Sequence, residues 1–330
     1  MTESKKQSKT FKIPLTFDSI GKGEKEAVVS VLESGFYTMG KEVLAFEKQF
    51  ARLTGTKHCV MVNSGSSANL LLIASYLHGL SRDGLLKPGD EVLIPALLWP
   101  TTLWPIVQLG LKPVLVDVVS NTMSIDITDA EKKLSCKTRA IFLIHVLGIP
   151  ANMNKVTTFS KKNNLILLED CCESLGAKFN SQHVGTFGSG GTFSFFFSHH
   201  ISTIEGGAVI TNCEKHANDL RSMRAHGWIR DRSDKEEIEI KNTDNNVDSR
   251  WLFVLPGFNL RPTELQGAIG QVQLSKLSKY IQDRKFIADK VAIIISEIDF
   301  LEVIGHNLTE KMFDKTWMNV PIRVRQNTIA

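Results

Sequence analysis

The chain has 330 residues, 42% of them hydrophobic and 22% charged, and a formal net charge of +4. This length suits one large α/β domain plus a smaller piece, and the composition excludes a disordered or fibrous chain. The small positive excess is spread out and gives no basis for a nucleic-acid or anionic-membrane surface; its one cluster, Lys5, Lys6, Lys9 and Lys12, reads as a solvated tail.

In chain order, residues 1–12 are polar and are expected to form a flexible tail. Residues 21–35 and 41–55 carry apolar side chains at helical spacing and each ends at a glycine, so both predict helices. From residue 58 the pattern alternates. Strands are predicted at 58–62, 91–96, 112–118, 140–146, 165–170, 191–198 and 207–212. Helices are predicted after Asn63, at 101–110 (with a proline kink), at 153–164 and over the amphipathic stretch 261–291. Two further strand-like stretches, ISEIDFLEVIG and KTWMNVPIRV, precede Ala330. Continuous apolar strands separated by helices predict a mostly parallel sheet covered on both faces.

The five cysteines (Cys59, Cys136, Cys171, Cys172 and Cys213) are odd in number and form no CxxC. Without a signal-peptide pattern, this predicts a reducing, cytoplasmic setting. No apolar run approaches the ~18 residues of a membrane-spanning helix.

In parallel sheets, ligands sit beyond the carboxyl ends of the strands. That rule selects residues 63–67, Trp99, His145, Asp170 with Glu173, and residues 198–200. NSGSSANL follows a strand and opens a helix, so it reads either as a phosphate-binding turn or as an N-cap with small residues. Asp170, at a sheet mouth, needs a cationic or proton-donating partner; a protonated pyridine nitrogen and a surface ion pair both qualify. Trp99 offers a flat aromatic face or is simply core. His145 is a crevice group or a satisfied core histidine. His199 and His200 end an aromatic-rich run, where one imidazole suits acid–base work near neutral pH and the other points elsewhere. No i, i+4 histidine spacing or cysteine partner supports zinc there.

Together these segments resemble the DegT/DnrJ/EryC1/StrS sugar aminotransferase family, from about residue 13 to about residue 280. NSGSSANL, PALLWPTT, LEDCCESLGA, GTFSFFFSHHISTIEGG and GFNLRPTELQGAIGQVQL follow the family's order. The resemblance implies an aspartate aminotransferase-like α/β fold (fold type I) that binds pyridoxal 5'-phosphate or pyridoxamine 5'-phosphate. It further implies a large cofactor domain over 13–285 and, over 286–330, the start of a small C-terminal domain. Family members continue further, so that domain is expected to be incomplete. By position, Gly65, Ser66 and Ser194 are implied to hold the phosphate, Trp99 to stack on the ring, and Asp170 to pair with the ring nitrogen. Glu173 is implied to lie near the ring hydroxyl. Asn259 is implied to reach the phosphate of a neighbouring subunit in a homodimer.

The sequence departs from the family at one decisive place. Most members have lysine six positions before the Glu of the EGG turn; that Glu is Glu205, and His199 stands there instead. Imidazole cannot form lysine's Schiff base with the cofactor. The family branch with this substitution, the 3-dehydratases of nucleotide-linked 4-keto-6-deoxyhexoses, implies removal of the C3 hydroxyl with His199 as acid and base. The stretch after the His segment lacks the cysteines of the iron–sulfur version. The resemblance is therefore to the version regenerated by glutamate, with a GDP-4-keto-6-deoxymannose type of substrate, in deoxysugar and O-antigen polysaccharide synthesis. The alternatives are a sugar aminotransferase that manages without lysine, and a non-catalytic or truncated inactive member.

Overall fold

A computed structural model describes residues 18–80, 85–241 and 248–325; the four N-terminal lysines lie outside the described residues. The apolar runs become strands β1 (His58–Val62), β2 (Glu91–Pro95), β3 (Lys112–Val116), β4 (Thr138–Ile144) and β5 (Ile166–Asp170). Short strands β6 (Lys178–Phe179) and β7 (Gln182–His183) follow, then β8 (Gly190–Ser194) and β9 (Gly207–Thr211). Seven of these form one sheet in the order β1-β9-β8-β5-β4-β2-β3. All neighbours in it run parallel except β9, which is antiparallel to both β1 and β8.

The pleat divides the core between two faces. On β1, Val60 and Val62 join Leu71, Leu72, Phe142 and Leu168 on one side. Cys59 and Met61 join Phe46, Phe50, Phe193 and Phe195 on the other. The phenylalanines there pack edge to face, with ring centroids 5.1 to 5.3 Å apart for Phe50–Phe193, Phe46–Phe195 and Phe50–Phe195. Helices cover both faces: α1 (Lys22–Ser34), α2 (Lys41–Thr54), α3 (Gly65–His78), α4 (Pro100–Gln108), α5 (Ile127–Lys133), α6 (Met153–Lys162), α7 (Glu214–Arg224), α8 (Lys235–Lys241) and α9 (Glu264–Ser296). Among the described residues no helix is long and apolar enough to cross a membrane.

Helix α9 is the long strut. It starts from a capping box in which the Thr263 hydroxyl accepts from Gln266 N–H and the Gln266 amide oxygen accepts from Thr263 N–H. Its buried Glu264 accepts from the N–H groups of Gly40 (2.7 Å), Glu42 (2.9 Å) and Val43 (3.0 Å). A carboxylate from one helix thus caps the amino end of α2, where Gly40 has no side chain to do so.

Two sequence expectations change. The strand predicted at 191–198 ends at Ser194, although its apolar run continues. Phe195 still pairs with Gly206 and Thr203, but Phe196 N–H turns onto the Ser194 hydroxyl and His199 N–H onto the Phe196 carbonyl. The histidine pair therefore sits in a turn, not at the end of an extended strand. The stretch 315–324 is extended only at its end: β10 (Leu301–Val303) and β12 (Ile322–Val324) pair antiparallel, while β11 (Phe313–Asp314) joins β6. Between them, residues 315–318 fold back on the sheet. Thr316 N–H donates to the Gly148 carbonyl (3.0 Å) and Met318 N–H to the Leu147 carbonyl (3.0 Å). Helix α9 runs unbroken through the 285/286 division drawn from the sequence.

Gly148 makes that fold-back possible. Its φ is +86°, and a Cβ there would lie 2.3 Å from the Trp317 backbone nitrogen. Gly148→Ala should therefore cost about 1–3 kcal/mol or more; chemical denaturation measures this, and an unchanged midpoint would contradict the packing described.

Candidate functional site

The carboxyl ends of β1, β5 and β8 and the amino ends of α3 and α4 meet at one crevice. At its centre is Asp170, the last residue of β5 and only 5% exposed. Its Oδ2 accepts from the Asn69 side-chain amide and from the Thr102 hydroxyl, both at 2.8 Å. Its Oδ1 accepts from Cys172 N–H at 3.0 Å. Asn69 is oriented in turn by Thr192 on β8, whose hydroxyl donates to its amide oxygen at 2.6 Å. With this one backbone donor, Oδ1 has capacity for one more.

The amino end of α3 lies beside it. Ser64 caps the helix, its Oγ accepting from Ser67 N–H at 3.1 Å. The first helical N–H groups, of Gly65 and Ser66, find no acceptor among the described residues. Gly65 is needed here: a Cβ would stand 2.5 Å from Ser194 Cβ and 2.8 Å from its Oγ. Free N–H groups, two serine hydroxyls and the helix dipole make an anion cradle.

His199 closes the crevice from the turn after β8. Its Nδ1 is buried and has no partner among the described residues. Desolvation brings its pKa down to about 4; Asp170 and the Cys172 backbone act against that lowering, and Arg284 adds to it. The ring is therefore neutral at physiological pH. His200 is buried against the backbone of Thr316, with neither ring nitrogen bonded to a side chain, and its pKa falls to about 3, again mainly through desolvation. Glu173 accepts from Leu147 N–H at 2.8 Å. Its carboxyl is held above the usual range, chiefly by burial and also by the charge of Asp170.

The remaining sequence candidates separate. Trp99 is 69% exposed at the N-cap of α4, one turn before Thr102, with an open aromatic face. Asn259 is exposed and its amide oxygen accepts from Arg261 at 3.1 Å, outside the cluster around Asp170. His145 belongs to the core: Nδ1 accepts from Ala151 N–H, and Nε2 meets Glu169 at 3.0 Å. Glu169 also takes the N–H groups of Gly185, Phe187 and Gly188, each at 2.8 Å. The donor atoms of His145, Glu169 and Cys171 lie within 4.8 Å of one another, but those of His145 and Glu169 are engaged in this knot. Asn69, Thr102 and Thr192 were not anticipated. Asn69 lies one helical turn after Gly65, and Thr102 one turn after Trp99, so helical spacing from the named motifs would have found the first two.

A mostly parallel sheet with an anion cradle and a buried carboxylate at adjoining strand ends is the architecture of the aspartate aminotransferase-like enzymes. The model of the DegT/DnrJ/EryC1/StrS aminotransferase family matches residues 18–329, and the chain belongs to that family. It is 42% identical over 280 residues to the GDP-4-keto-6-deoxy-D-mannose 3-dehydratase of Escherichia coli O55:H7, covering 85% of this chain and 72% of that protein. A solved GDP-4-keto-6-deoxymannose-3-dehydratase, a histidine-to-asparagine mutant with bound GDP-perosamine, superposes with a TM-score of 0.88 at 38% identity, over 96% of this chain and 80% of that one. The same enzyme with a trapped PLP–glutamate geminal diamine gives a TM-score of 0.87 at 36% identity, over 97% and 81%.

Four buried histidines carry a pH consequence. His183, His199 and His216 are pushed down to about 4 and His200 to about 3, each first of all by desolvation. Depressed folded-state values mean that the unfolded chain binds more protons as pH falls below the ordinary imidazole value. The stability from keeping these rings neutral is complete above about pH 6.5 and is lost on acidification toward about pH 4. Urea unfolding should show a midpoint that falls between about pH 7 and about pH 5, with net proton uptake on unfolding; a flat profile would contradict it.

Proposed function

We propose that this chain removes the C3 hydroxyl of a nucleotide-linked 4-keto-6-deoxyhexose, of the GDP-4-keto-6-deoxymannose type, in deoxysugar and O-antigen synthesis. The observation that carries this reading is His199: a neutral imidazole in the crevice of Asp170, at the position where the family's aminotransferases carry lysine.

The residues present fit a phosphorylated pyridine cofactor. The cradle of Gly65, Ser66 and Ser194 suits its phosphate, and the free lone pair of Asp170 Oδ1 suits a protonated ring nitrogen. Trp99 is placed to cover the ring face, and Glu173 to lie near the ring hydroxyl. When bound, the pyridoxamine form of the cofactor would supply an amine for the substrate's C4 ketone and a ring that accepts electrons. The protein's own part is proton handling. His199, kept neutral chiefly by burial, is a base that can take a carbon-bound proton and deliver it to the departing C3 oxygen. Because it cannot attach covalently to the cofactor, it stays free for both transfers. Asp170, buried and hydrogen-bonded, would hold the ring nitrogen.

The wider reading is of a cytoplasmic homodimer. In it, exposed Asn259 reaches the phosphate of the partner's cofactor, and glutamate restores the amine form.

The test combines two substitutions with product mass analysis in the presence of pyridoxamine phosphate, glutamate and GDP-4-keto-6-deoxymannose. His199→Asn should lower the formation of 3-deoxy-4-keto sugar by about 10²–10⁴-fold, the usual worth of a general acid–base group. His199→Lys should gain a covalent, borohydride-trappable attachment to the cofactor. An amino sugar as the main product of the parent would replace this reading with aminotransfer. Unchanged turnover of His199→Asn would remove His199 from the mechanism.

A further inference from the structure

The turn that carries His199 is held from outside by a residue that no motif includes. Arg284 lies midway along α9 and is half-buried. Its Nη1 donates to the carbonyls of Trp317 (3.1 Å) and Met318 (2.8 Å), and its Nη2 approaches the His199 carbonyl at 3.5 Å. No carboxylate among the described residues bears on it, and burial alone lowers its pKa. A half-buried guanidinium without a counter-ion is costly, and charge-assisted bonds to carbonyls offset only part of that cost.

The carbonyls it gathers are not arbitrary. Met318 N–H donates to the Leu147 carbonyl, and Leu147 N–H donates to Glu173. Leu147 holds a left-handed backbone, φ 51° and ψ 31°, inside the turn Val146–Gly148. One continuous path therefore runs from Glu173 through Leu147, Met318 and Arg284 to His199. It joins two sides of the crevice through a segment 315–318 that touches neither Asp170 nor the α3 cradle by any hydrogen bond among the described residues. We propose that Arg284 is a positioning residue for the dehydration: it clasps the His199 turn to the 317–318 segment and sets its positive charge beside the imidazole that must stay a free base. The proposal rests on the function assigned above to His199.

The electrostatic half follows from what faces the ring. From the end of β5 comes Asp170, which favours imidazolium, as does the Cys172 backbone; from α9 comes Arg284, which disfavours it; the neighbouring His200 is neutral. Removing the arginine takes away one of the two influences that disfavour imidazolium, burial being the larger, so His199 should titrate at somewhat higher pH yet stay neutral at physiological pH, and a fall in kcat would report the lost clasp.

The experiment uses the full chain loaded with pyridoxamine phosphate, in three forms: parent, Arg284→Met and Arg284→Lys. The His199 imidazole is titrated by NMR, and kcat and KM for dehydration are measured across pH. Arg284→Met should raise the His199 titration point by about one pH unit. It should also lower kcat by about tenfold or more, with KM little changed. Arg284→Lys retains charge without the fork of donors, so its titration point should stay near the parent's while kcat falls. Parent-like titration and kcat in Arg284→Met would overturn the proposal. So would a change confined to KM, which marks a direct substrate contact. Should Arg284→Met not fold, Arg284→Lys decides by itself: an undiminished kcat in it rejects the clasp. The titration needs no substrate, so a parent without dehydratase activity would sink the functional reading while the charge effect on His199 is still read.

Discussion

The crevice depends on one carboxylate. Asp170 Oδ2 receives the side chains of Asn69 and Thr102, and its Oδ1 receives the Cys172 backbone. Three separate elements, α3, α4 and the turn after β5, are thereby fixed to a single strand end. A buried anion is costly unless its lone pairs are filled, and here the filling is also what sets the geometry. The α3 amino end cannot drift from Asp170 without breaking the Asn69 bond, and the Trp99 end of α4 cannot drift without breaking the Thr102 bond. Thr192 extends the same network into β8, the strand that leads to His199.

The proposed function rests on the opposite surroundings of two ionisable groups in one place. Asp170 is surrounded by donors. His199 has a buried nitrogen that meets nothing, under a cation that disfavours its protonation. In the proposed function, that contrast in surroundings is what separates a residue that binds the cofactor ring from one that transfers protons. The same logic explains why His145, equally histidine and fully buried, is inert. Both of its ring nitrogens are engaged, one by Ala151 and one by Glu169.

Much of this was legible in the sequence because it is local. The strand–small turn–helix of residues 58–78, the acidic end of β5 and the offset of His199 from Glu205 are short-range patterns, and the sheet rule gathers them at one edge. The errors also have physical causes. The aromatic run at 193–197 looked like continuous strand, but Ser194 supplies a hydroxyl that bends Phe196 away. The stretch 315–324 looked like one strand, yet Thr316 and Met318 bond to the carbonyls of Gly148 and Leu147, far earlier in the chain. Arg284 falls on the same helical stripe as buried Leu277 and Ala288, but the carbonyls it bonds belong to residues 317 and 318, whose place beside α9 no local pattern shows.

The fold-back of residues 315–318 also fixes an order of assembly. The contacts of residues 316 and 318 with Gly148 and Leu147 span about half the chain, and closing so long a loop is among the slower and more entropically demanding events of folding. During synthesis the sheet, the α3 cradle and the Asp170 network are all available before the 315–318 segment leaves the ribosome. A nascent chain can thus be largely folded, and able to hold an anion at its α3 end, while the turn bearing the histidines still lacks its outer support. The centre is completed only when almost all of the chain described here has been made.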